Sequence, residues 1–94
     1  MITPVRRLND LTSVGPATMR DFGLIGIRTV EQLARETPGH LYRQLCHLTG
    51  QPQDICCLDV FAAAIAQAKD PQLPVEHRQW WYWTKKRKVC DGQR

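Results

Sequence analysis

The sequence predicts an all-α protein, a compact bundle of about five short helices, and three observations carry that reading. Apolar residues recur at three- and four-residue spacing in successive segments: Val5, Leu8 and Leu11, then Val30, Leu33 and Ala34, then Leu41, Leu45 and Leu48. Helix punctuation separates those segments, with Thr3-Pro4, Gly15-Pro16 and Thr37-Pro38 as starts and Gly26 and Gly50 as stops. No run alternates apolar and polar residues as a half-buried strand does.

Thr3 and Pro4 open a first short helix that reaches about Leu11, with Arg6, Arg7, Asn9 and Asp10 on its outer face. Ser13-Val14-Gly15-Pro16 then makes a tight hairpin, because glycine accepts positive φ and proline preorganises the helix that follows to about Ile25. Gly23 inside that helix suggests a close backbone approach. Thr29-Val30-Glu31-Gln32 reads as a capping box for a short third helix. Thr37-Pro38 starts the fourth, which Gly50 ends, and Gln51-Pro52 turns the chain. From Gln53 to about Lys69 the fifth helix is apolar nearly all round, so it is either the central core helix or a face for another subunit. Asp70-Pro71 stops it. Trp80-Trp81-Tyr82-Trp83 lacks alternation and a pairing partner, and is expected as an irregular, Trp-rich and basic segment folded over the small core.

With 94 residues there is room for one domain, expected at residues 1–84, followed by a basic, disordered tail at residues 85–94. The net charge of +4 lies wholly in that tail, since residues 1–84 carry eight basic and eight acidic side chains. No apolar run approaches the roughly 20 residues that span a bilayer, and the segment from Met1 to Arg7 is too short and too soon charged for a secretory signal. The expectation is a cytoplasmic protein with reduced thiols and no membrane partner. Cys46, Cys56, Cys57 and Cys90 do not have the spacing of a zinc framework, and adjacent ligands such as Cys46 and His47 diverge by about 100° on a helix, so no metal and no other cofactor is expected. The same divergence, with no nucleophile motif around Cys46, Cys90, His40, His47 or His77, leaves no catalytic residue to assign.

Leu8-Asn9-Asp10-Leu11-Thr12-Ser13-Val14-Gly15-Pro16-Ala17, with the later Gly26-Ile27-Arg28-Thr29-Val30-Glu31-Gln32-Leu33, resembles a helix-hairpin-helix motif and the helix that often accompanies it. Two positions depart from the motif: Ser13 stands where it has its first glycine, and Pro16 offers no amide. Asp54-Ile55-Cys56-Cys57-Leu58-Asp59-Val60-Phe61 and Trp80-Trp81-Tyr82-Trp83-Thr84 resemble the pathogenicity-locus family of small bacterial proteins, also labelled mitomycin-resistance-like, over roughly residues 6–84. The resemblance implies a helical fold and contact with DNA, and it brings no catalytic residues.

Unpaired amides and the positive end of a helix dipole form an anion site whatever the family. The expected function is therefore a non-catalytic, sequence-independent DNA-binding module, with DNA repair or a stress response as its setting. Ser13, Val14, Gly15 and Ala17 would present the hairpin to a phosphate, Arg20 and Arg28 would flank it, and Lys85, Lys86, Arg87 and Lys88 would add salt-sensitive attraction. The alternative is a protein-interaction or dimerisation module that docks a second copy or another protein on the apolar helix 53–69 and the tryptophan segment.

Overall fold

The computed structural model describes the backbone of residues 6–92 and the side chains of residues 6–88. They form five α-helices, α1 (Pro16–Ile25), α2 (Val30–Ala34), α3 (Pro38–Thr49), α4 (Cys56–Lys69) and α5 (Trp80–Gly92), with 3₁₀ turns at Leu8–Asp10 and Val75–Arg78. No strand occurs among the described residues, and no helix there is long and apolar enough to cross a membrane.

Local chemistry accounts for the first three helices. Gly15 is extended ahead of Pro16, the first residue of α1, and Gly26 ends that helix at φ 89°. Thr29 Oγ1 accepts the Gln32 amide at 3.1 Å while Gln32 Oε1 accepts the amides of Thr29 and Arg28, which closes the capping box of α2. Thr37 Oγ1 accepts the His40 amide at the start of α3, and Gly50 stops it at φ 70°.

The apolar character of α4 is explained by its central position, packed against α2, α3 and α5. One face buries Phe61, Ala64, Ile65 and Ala68 in the core shared with Phe22, Leu33, Leu41 and Leu45. The Phe22 and Phe61 rings stack there, with centroids 5.7 Å apart. Each large side chain withdrawn from water in this way contributes about 1.5–3 kcal/mol. Asp59, Ala63 and Gln67, at four-residue spacing, are also buried. Through Asp59 and Gln67 this second row bonds to α5 and to the turn before α1. Much of the helix surface that suggested a second subunit is thus covered by the chain's own elements.

Three expectations need correction. The count of five helices holds, but not its membership. Residues 1–5 lie outside the described residues, and the rest of the expected first helix is a single 3₁₀ turn. Asn9 and Asp10 favour local bonds over helix propagation, and the Asp10 carboxylate accepts the Arg7 amide at 2.8 Å. The tryptophan segment is not irregular, and residues 85–92 are not a separate tail; both belong to α5. Asp59 fixes that helix: only 2% exposed, it accepts bonds from Arg87 Nε at 2.9 Å, Arg87 Nη2 at 3.1 Å and Thr84 Oγ1 at 2.6 Å. Finally, a Cβ at Gly23 would meet nothing within 4 Å, so no close approach requires that glycine.

Removing one partner of a buried ion pair leaves the other charge stranded in a poor solvent. Arg87→Met is therefore expected to lower the unfolding free energy by about 3 kcal/mol, read from urea midpoints. Adding Asp59→Leu in the same chain should recover most of the loss, and no recovery would show that the pair is not what holds α5.

Candidate nucleic-acid interface

The turn at residues 12–15 is set by a buried amide. Gln67 of α4 accepts the Thr12 N–H on Oε1 at 2.9 Å and donates through Nε2 to the Thr12 carbonyl at 2.8 Å. Held on both sides, Thr12 hands the chain to Ser13 at φ 74°, the one non-glycine residue among those described with positive φ. Left-handed backbone costs a residue with a Cβ about 1–2 kcal/mol. The Ser13 hydroxyl offsets that by donating to the Arg78 carbonyl and accepting the Trp80 amide, both at 3.1 Å. Ser13 thus keeps a glycine-like backbone and uses its side chain to cap the start of α5.

Of the amides expected to face a phosphate, Val14 is not available. Its N–H bonds to the Leu11 carbonyl at 3.3 Å and closes the turn. Gly15, Ala17 and Thr18 have no acceptor for their N–H groups among the described residues, and Pro16 between them has no N–H to offer. These three donors sit at the positive end of the α1 dipole. No side chain caps them, and the space a Gly15 Cβ would enter is open. Thr18 lies outside the expected set, although any helix start leaves its first amides unpaired.

Arg20 is exposed on α1. Its neighbour Asp21 is partly buried, and burial pushes the carboxyl above its usual range against the opposing pull of Arg20. Arg28 lines a cleft of about 350 Å³ together with Arg7, Met19 and Thr29, with Glu31 as its acidic member. Arg7 was not on the expected list; the fold brings it to Arg28 from 21 positions away. Arg6 borders the same cleft, but its guanidinium donates to the Gln67 and Ala68 carbonyls at 2.7 and 3.1 Å and so caps the end of α4.

The expected basic tail is divided by the geometry of α5. Arg87 is engaged with Asp59 and leaves the set of phosphate contacts. The Lys86 ammonium lies 5.3 Å from the Trp83 ring and 5.8 Å from Tyr82. Lys85 lies 5.3 Å from Trp81, and Lys88 is exposed one turn further. Trp83 is structural: its indole N–H donates to the His77 carbonyl at 2.7 Å, and it meets Tyr82 edge-on.

Cys56 and Cys57 are held toward the thiol form. A hydrogen bond with Asp54 pushes the Cys56 thiol up, burial does the same to Cys57, and Cys46 Sγ accepts the Gln53 amide at 3.4 Å. The Cys90 side chain lies outside the described residues. No three His, Cys, Asp or Glu residues gather as metal ligands among those described.

A family model described as pathogenicity locus (Cdd1) matches residues 2–89. No curated protein and no solved structure matches the chain.

The two roles of Ser13 separate by substitution. Ser13→Ala keeps the backbone strain and loses both hydroxyl bonds, an expected loss of about 2 kcal/mol in urea unfolding. Ser13→Gly also removes the strain and should fall short of wild type by only about 1 kcal/mol. Equal losses in the two variants would show that the positive φ carries no cost here.

Proposed function

The chain belongs to the pathogenicity locus family, and we propose that it is a non-catalytic module that binds DNA without regard to sequence. The turn at residues 12–15 and α1 act in this reading as a helix-hairpin-helix phosphate site whose first arm is shortened to the Leu8–Asp10 turn. The observation that carries it is the row of unpaired amides at Gly15, Ala17 and Thr18, with no side chain capping them, at the positive end of a ten-residue helix. A phosphate there meets donors that carry no base information. Arg20, Arg28 and Arg7 supply attraction on the α1 side, and Lys85 and Lys88 extend it along α5. The mitomycin-resistance-like resemblance makes DNA repair or a stress response the fitting setting.

One observation favours the rival reading, a docked protein. A groove of about 460 Å³ between α3, α4 and α5 is lined by Pro38, Leu58, Ala62 and Trp83, with Lys86 at its edge. It is the part of α4 and the tryptophan segment left open to a partner or a second copy. Sedimentation of a dimer at micromolar concentration, with no DNA binding, would select that reading.

Gly15→Asp separates folding from binding. An aspartate at this extended N-cap position bonds the amides of the first helical turn, so the melting temperature should stay level or rise. The same carboxylate occupies the phosphate position, and duplex affinity by fluorescence anisotropy should fall at least about tenfold, roughly 1.4 kcal/mol. Neutralising about three phosphates predicts a wild-type affinity that drops roughly 40-fold between about 50 and 200 mM salt. Unaltered binding by the Gly15→Asp protein would move the phosphate site elsewhere.

A further inference from the structure

Two of the three tryptophans are left half outside the core: Trp80 is 39% exposed and Trp81 43%. Neither indole N–H has a partner among the described residues, in contrast to Trp83. A chain of this size has little apolar area to spare, so leaving such large rings in water works against its stability. Their position gives them a use. The Trp80 amide is held by Ser13 Oγ, which places the first turn of α5 against the turn that precedes the free amides of α1. From there Trp81, Lys85 and Lys88 follow at the four- and three-residue spacing that keeps them on one face. Between Trp80 and Lys88 the helix carries no acidic side chain.

Resting on the phosphate reading above, we propose that this surface takes single-stranded DNA, with unpaired bases stacked on Trp81 and Trp80 while an adjoining phosphate is held by the Gly15, Ala17 and Thr18 amides. A tryptophan ring on a convex helix has no base face to meet in an intact duplex, where the faces are already stacked on one another. An unpaired base next to the held phosphate has its face free. The Lys85 ammonium already lies over one face of the Trp81 ring, 5.3 Å from its centroid, so a stacked base takes the other face or displaces the ammonium toward its own phosphate. An aromatic platform beside a cationic strip is the combination that holds single strands regardless of sequence.

Fluorescence anisotropy with a labelled thymidine oligonucleotide of about 15 nucleotides, against a duplex of equal length, tests this on the intact chain. The single strand is expected to bind at least about fivefold more tightly, with quenching of tryptophan emission and protection of the indoles from acrylamide. Trp81→Leu should weaken single-strand binding about tenfold and leave duplex binding within about twofold, whereas Trp81→Tyr should retain most of the affinity. Circular dichroism melting checks that each variant folds, and acrylamide protection in the wild type reads the same contact if Trp81→Leu does not. A single strand bound no better than duplex, or no indole protection, overturns the stacking while duplex binding sensitive to Gly15→Asp keeps the phosphate site. Binding of neither nucleic acid overturns both.

Discussion

A buried primary amide must satisfy both of its ends, and Gln67 does so on the backbone of a residue 55 positions earlier. Most of the surface described above depends on that bond pair. It fixes Thr12, which leaves Ser13 the left-handed region, which turns the chain so that Gly15 leads into α1 with the first amides of that helix unpaired. The carbonyl of the same Gln67 is held by Arg6, so the approach to the turn is tied to the end of α4 as well. Replacing the glutamine by an apolar residue would leave the Thr12 N–H and C=O without these partners, and the loop would lose its reason for this shape.

What was legible in the sequence is what is decided within four residues. The proline after Gly15, the Thr29-Gln32 box, the Thr37 cap and the glycines at 26 and 50 state their own structure, and the helices they bound are where they were expected. The proposed phosphate site was half legible for the same reason. Unpaired amides follow from any helix start, whereas the Val14 bond to Leu11 depends on a 3₁₀ turn that no spacing announced. Arg87 looks like a tail cation in the sequence because its partner, Asp59, is 28 residues away and unmarked among apolar neighbours.

The sequence does carry one signal for α5. An aromatic block at residues 80–83 is followed by a basic block at residues 85–88, so Trp81 faces Lys85 and Tyr82 faces Lys86 one helical turn on. Read as two compositions, the blocks suggest a lid and a solvated tail; read at four-residue offset, they form one helix with aromatic and cationic side chains in contact. Lys85, Lys86 and Lys88 therefore sit at fixed positions on a helix and are not a loose polycation.

The cap that Ser13 supplies to α5 comes from 67 residues away. A 13-residue helix is marginal alone in water, and this one takes its first hydrogen-bond acceptor and its buried ion pair from elements made much earlier in synthesis. As the chain leaves the ribosome, the N-terminal turn and α1 to α4 are exposed first, with the Asp59 carboxylate still unpaired. Docking of α5 then covers this side of the body; without it the Asp59 carboxylate would be uncovered and α4 open on one side. Such a body holds a carboxylate with no cation beside it, so α5 acts on the stability of the helices it covers as much as on its own.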